Sequence, residues 1–142
     1  MTPRLPALVL QSAAICLIAA CFPFSAGERH LDGPYTLYAT DIAEQMELDY
    51  AIGHAAFVER VPPTVFAAGW NARYVIVKRH PNGDRSRTEV YILDRSKDGP
   101  LVDPGVSVTG PLTAAEFDAR RRELSVDSTL SFRVVLSELE QV

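Results

Sequence analysis

Residues 73–94, RYVIVKRHPNGDRSRTEVYILD, decide the fold. In 73–80, Val75 and Val77 share one side of an extended chain, while Tyr74 and Ile76 share the other. Apolar residues on both faces predict a central strand covered on each side. Pro81-Asn82-Gly83-Asp84 is the strongest turn signal in the chain, because Asn-Gly favours hairpin connections. Residues 88–94 (TEVYILD) then supply the returning strand.

The pattern continues upstream. Residues 64–69 (TVFAAG) read as a strand joined to 73–80 by Trp70-Asn71-Ala72, a turn because Asn tolerates left-handed backbone angles. Pro62-Pro63 marks a boundary. Residues 35–40 (YTLYAT) are aromatic and β-branched, and 46–52 alternate, with Met46, Leu48, Tyr50 and Ile52 on one face. Asp41-x-x-Glu44 has the form of a helix capping box, but the alternation after it makes 41–45 a hairpin connection. The expectation is an antiparallel β-meander of about five strands between residues 34 and 95.

Downstream, residues 96–111 hold three Gly and three Pro and predict a loop with a short edge piece at 106–108. Thr113-Ala114-Ala115-Glu116 is a capping box opening a helix over 112–124, with Ala114, Phe117 and Leu124 on its inner face. In 129–142 a strand pattern (Leu130, Phe132, Val134, Leu136) passes into a helical one (Val135, Leu139, Val142). The fold class is therefore α+β, a meander with one main C-terminal helix, in a single domain over 34–142.

The N-terminus has a different character. A positive start at Arg4 precedes residues 5–20 (LPALVLQSAAICLIAA), apolar at 13 of 16 positions. That is shorter than the roughly 20 residues of a membrane span and matches a secretory signal core. Ile18-Ala19-Ala20-Cys21 resembles the lipobox of bacterial lipoproteins. The resemblance implies that Cys21 receives a diacylglycerol and that cleavage removes residues 1–20. It also implies acylation of the new amine. An ordinary signal peptidase site at Phe24-Ser25-Ala26 fails because Phe24 is bulky, and Pro6 and Pro23 disfavour an uncleaved anchor. Residue 22 is Phe rather than Asp, which in Gram-negative lipoproteins implies the outer membrane. Residues 21–33 are non-periodic and read as a tether. Cys16 leaves with the signal and Cys21 is alkylated, so the exported domain relies on its core without a disulfide.

The chain has 142 residues, 47% apolar and 23% charged, which fits one domain and excludes disordered and multi-span classes. With 14 basic against 18 acidic residues it carries −4, which argues against a nucleic-acid partner.

Chemistry-bearing motifs are scarce. His54 and His80 lie outside any metal or catalytic spacing and read as polar strand-end residues. Asp94, Asp98 and Asp103 approach a calcium-loop pattern, but the position of the bidentate Glu is Gly105, so no metal is assigned. Ser107 has no nucleophile elbow, and Gly105 to Gly110 lacks the Lys of a phosphate loop. No catalytic residue and no cofactor is assigned. Arg120-Arg121-Arg122 reads as a solvated face with Glu116–Arg120 and Asp118–Arg122 pairs, or as a contact for anionic headgroups. Trp70, beside Tyr74, reads as a lid on the core or an exposed anchor. The candidate partner contacts are Trp70, Asp98, Asp103 and Arg121.

Residues 65–78 (VFAAGWNARYVIVK), followed by Tyr91-Ile92-Leu93-Asp94-Arg95, resemble small bacterial lipoproteins of unknown function. In these a Gly-Trp-Asn turn links two strands and a Tyr-Ile-Leu-Asp strand follows. Gly110-Pro111-Leu112 and Glu116-Phe117 extend the likeness over most of 34–137. The resemblance implies strand order and no catalytic residues. The expected function is an exported, lipid-anchored, non-catalytic binding or structural module that touches the membrane through Cys21. An inhibitor or immunity-type lipoprotein, contacting an envelope enzyme through loop 96–111, is the alternative. A third reading is an enzyme whose carboxylates gather only in three dimensions, in a cleft holding Asp49, His54 or Asp94.

Overall fold

The computed structural model describes residues 27–54 and 56–141, so the signal core, the lipobox and Cys21 lie outside the described residues. The first sheet contains β1 (Gly27–Asp32), β2 (Tyr35–Ala39), β3 (Glu47–Ile52) and β4 (Ala56–Val61), in the order β1-β2-β3-β4. The second contains β5 (Val65–Trp70), β6 (Tyr74–Arg79), β7 (Glu89–Asp94), β8 (Val108–Leu112) and β9 (Val134–Val135), in the order β8-β7-β6-β5-β9. All neighbours are antiparallel. The helices are the single turn α1 (Pro104–Ser107), α2 (Ala114–Glu123) and the single turn α3 (Ser137–Glu140). The class is α+β, as the sequence implies, but the expected single meander is two sheets. Among the described residues no helix is long and apolar enough to cross a membrane.

Strand β6 sits at the centre, as its two apolar faces require. Val75 and Val77 join Leu37, Leu48 and Val61 of the first sheet in a core between the sheets. Tyr74 and Ile76 face the other way and form a second core with Ile92, Phe117, Val126 and Leu130 under α2. The result is three layers, sheet on sheet on helix.

Three expectations are corrected. The tether over 21–33 contains a strand, because Gly27–Asp32 pairs with β2. Its polar sequence GERHLD hides it, since an edge strand exposes most of its side chains and only Leu31 is buried. Strand β4 has no counterpart in the expected meander. Leu48 pairs with Val61 and Asp49 with Glu59, leaving Arg60 as an extra bulge residue that breaks the period of two. The loop 96–111 is ordered at its end into α1 and β8, so the edge piece begins at Val108 rather than Val106.

Two turns work differently in detail. Asn71 keeps a negative φ, and its Oδ1 accepts from the amides of Arg73 (2.9 Å) and Tyr74 (2.7 Å), fixing the β5–β6 turn. Asn82 (φ 53°) and Gly83 (φ 72°) do use the left-handed region, within a longer connection between β6 and β7. Helix α2 opens with the expected reciprocal Thr113–Glu116 cap. Phe117 is its buried residue, whereas Ala114 is exposed, because the helix touches the sheet with a narrow stripe.

Gly69 allows residues 131–132 to cross the face of β5: a Cβ there would lie 1.9 Å from the Ser131 carbonyl oxygen. Gly69→Ala is expected to cost about 1–3 kcal/mol by forcing backbone apart, read as a lowered urea midpoint. An unchanged midpoint would show that the crossing is looser than described.

Candidate functional site

Strand β7 ends in Asp94, whose Oδ1 accepts from the amide (3.0 Å) and hydroxyl (2.6 Å) of Ser96. These bonds hold the Asp94 carboxyl below its usual range against the opposing effect of its burial, with Arg73 adding to them. The short 3₁₀ turn Arg95–Lys97 that Asp94 caps turns the chain so that Asp98 points inward. There the Asp98 and Arg60 side chains are both 0% exposed, with Arg60 Nε 3.0 Å from each carboxylate oxygen. Tyr35 donates its hydroxyl to Asp98 Oδ2 at 3.0 Å, and Ser107 donates to Oδ1 at 3.0 Å. Arg60 Nη2 donates to the Gly99 carbonyl at 2.7 Å and Nη1 to the Glu59 carbonyl at 3.3 Å. Every acceptor of the buried carboxylate is engaged, the condition under which such a pair is tolerated. Burial and the Asp98 charge push the Tyr35 phenol above its ordinary value, so it remains a donor.

The segment 98–107 is thus pinned at both ends. Between them Val102 N donates to Gly99 O (3.0 Å), and Asp103 Oδ1 accepts from Gly105 N (2.7 Å) at the start of α1. This framework presents two apolar side chains to solvent beside the exposed Asp103: Leu101 is 96% exposed and Val106 63%.

Beside the loop lies an open cleft of about 490 Å³ lined by Pro34, Tyr35, Tyr50, Ala72, Arg73 and Arg95. Ser96 and Asp98 complete its wall. The Tyr35 and Tyr50 rings meet edge to face at 5.6 Å and 83°. Arg60 lies over Tyr50 and Arg95 over Tyr35, each 5.3 Å from the ring centre. Arg95 Nη1 is held by Asp32 (2.7 Å) and the Asn71 carbonyl (2.5 Å). Gly33 (φ 57°) makes room for this side chain, since a Cβ there would sit 3.0 Å from Arg95 Nη2.

The predicted contact residues separate. Asp98 is not a solvent-facing group: its carboxylate is the buried anchor of the loop, engaged by Arg60, Tyr35 and Ser107. Asp103 is exposed and caps α1. Trp70 is half-buried against the inter-sheet core with Arg133 5.6 Å over its ring, the lid arrangement. Arg121, half-buried, reaches back to the carbonyls of Asp127 and Leu130 and braces the segment after α2. Glu116 is engaged as a cap, so Arg120 pairs instead with Glu123 at 2.7 Å, and Asp118–Arg122 is not formed among the described residues. His80 is buried, stacked on Phe66 at 4.3 Å with Nδ1 2.7 Å from the Arg87 carbonyl, whereas His54 is exposed. Asp94, Asp98 and Asp103 serve three separate structural purposes and do not converge.

Sequence reading missed a row of carboxylates on the outer face of the first sheet. Glu47 and Asp49 lie two apart on β3, and Glu59 is paired with Asp49 across β4. Tyr38 and Phe57, from β2 and β4, stack at 4.7 Å and 17°, meeting above Asp49. Asp49 is 0% exposed, and neither carboxylate oxygen has a hydrogen-bond donor. Burial, reinforced by Asp49 and Glu59, raises Glu47 to about 7; burial, reinforced by Glu59 and partly offset by Glu47 and the Arg60 charge, raises Asp49 to about 6. The signal was present as acids at alternate positions of β3, but alternation marks a polar face without telling whether it is covered. Asp49, His54 and Asp94 do not share one cleft: Asp49 sits with Glu47 and Glu59 on the outer face of the first sheet, and Asp94 stands beside Arg73 at the end of β7.

The pH consequence has a definite sign. An acid whose folded value is raised binds its proton more tightly when folded, so its contribution is complete below about pH 4 and is lost as pH rises through about 6–7. Asp49→Asn is expected to raise stability at about pH 8 by on the order of 2 kcal/mol and to change it little near pH 4. Urea melts across this range check it; an equal effect at both ends would sink the assignment.

Residues 32–139 match the model of a family described as protein of unknown function (DUF3997). No curated protein and no solved structure matches the chain. The match spans the chain from the end of β1 to α3, including β2 to β9, the Arg60–Asp98 pair, the loop and the cleft. The chain belongs to this family of unknown function.

Proposed function

We propose that the protein is exported, lipid-anchored through Cys21, and works as a non-catalytic module that binds a protein partner in the bacterial envelope. Support for the anchor comes from the short apolar core ending in Ile18-Ala19-Ala20-Cys21, a lipobox-like sequence. Two or more acyl chains give near-permanent attachment at about 0.8 kcal/mol per buried CH₂. With Phe22 after the cysteine, the outer membrane of a Gram-negative cell is the destination we favour.

The observation that carries the binding reading is the loop 98–107. Its Asp98 anchor is completely buried, while Leu101 at its tip is 96% exposed. Solvent-facing apolar side chains on a braced segment lose little conformational entropy on docking, which favours binding. The same preorganisation favours a second reading, in which the loop blocks an envelope enzyme.

Two measurements test this. Cys21→Ser is expected to abolish incorporation of labelled palmitate and to shift the protein out of the detergent-rich phase. Normal labelling of this variant would overturn the anchor. Leu101→Asp, read with unchanged melting temperature, is expected to weaken capture of an envelope protein by about tenfold or more, the loss of about one buried leucine. If Leu101→Asp captures the same proteins in the same amounts as wild type and as the remote variant Glu123→Lys, the loop is not the contact.

A further inference from the structure

We propose that the cleft between Tyr50 and Arg73 is a binding site for a small organic carboxylate with a flat apolar body. This goes beyond the loop-mediated reading and stands on different side chains. The size is right, since about 490 Å³ lies within the range of small-molecule sites.

The donors available there select the ligand. Four backbone amides around the cleft are engaged: Arg73 N with Asn71 Oδ1, Arg95 N with Arg73 O, Ser96 N with Asp94 Oδ1, and Asp98 N with Arg95 O. Pro34 has no amide to offer. A phosphate, which prefers a concave group of amides or a helix start, is therefore poorly served. What remains is side-chain chemistry. Arg73 is 59% exposed, and its contact with Asp94 is loose at 3.5 Å, so its planar fork can turn to a carboxylate. Tyr50 lines the same space, and its hydroxyl makes no hydrogen bond to another of the described residues. Arg95, 16% exposed and fixed by Asp32, adds a stationary positive charge.

The floor selects an organic anion over an inorganic one. Tyr35 and Tyr50 are locked edge to face, and Pro34 and Ala72 add apolar surface. Tyr35 is itself buried beneath Arg95, so a flat ring can lie against Pro34, Ala72 and the half-buried Tyr50 while its carboxylate meets Arg73. Asp98 does not repel it, because that carboxylate is neutralised by Arg60 from within.

Titration calorimetry of the full chain in detergent micelles, with phenylacetate as the probe and empty micelles as blank, tests the assignment. Phenylacetate is expected to bind with a Kd on the order of a millimolar or tighter, weakening with added salt. Phenylacetamide, its uncharged counterpart, is expected not to bind. Arg73→Gln should weaken phenylacetate about tenfold, and Tyr50→Phe, which keeps the ring, by about threefold, both with unchanged melting temperature. No binding of phenylacetate at about 10 mM, equal binding of the amide, or full binding by Arg73→Gln would each overturn the proposal.

Discussion

A carboxylate and a guanidinium withdrawn from water demand complete pairing, and the Arg60–Asp98 contact meets that demand with groups from several parts of the chain. Tyr35 comes from β2, Arg60 from the bulge in β4, and Asp98 and Ser107 from the two ends of one loop. The first sheet is thereby tied to the segment leaving the last long strand of the second. Tyr50 and Tyr35 gain fixed orientations from the arginines stacked on them, so the cleft wall depends on the same contact. Loop, cleft and inter-sheet geometry are therefore one cooperative unit, in which removing a partner would leave an uncompensated buried charge.

Strand β4 shows how a single bulge separates two fates. Glu59 pairs with Asp49 on the outer face, and the extra residue Arg60 turns inward to Asp98. One face thus holds a buried acid satisfied by hydrogen-bond donors, and the other a buried acid with none. The satisfied group fixes the conformation of the loop. The unsatisfied one, with Glu47 beside it, makes the first sheet sensitive to protons near neutrality.

Much of the second sheet is legible in the residues themselves. The two-faced apolar run at Tyr74–Arg79 requires a central strand, and the Pro-Asn-Gly turn and the Thr113–Glu116 cap set its neighbours and the helix start. The first sheet is half legible, since β2 and β3 alternate while β1 is a polar edge and β4 is interrupted by Arg60. Of the candidate contacts, Asp98 reads as a surface group and is buried, and the half-buried Arg121 is engaged by backbone carbonyls, because nothing local distinguishes a solvated charge from one engaged at a distance. Asp98 finds Arg60 38 residues away, and Tyr35 63 residues away.

By itself the sequence determined those features governed by neighbours along the chain: strand periodicity, turn chemistry, the helix cap, and an apolar N-terminal core ending in Cys21. Only the tertiary structure decided that there are two sheets, that Asp49 is sealed beneath an aromatic pair, and that two arginines and two tyrosines frame a cleft beside a braced loop. The physical reason is that burial and charge pairing belong to the space between segments, where the cost of an ion or the value of a donor is set by groups far away in sequence.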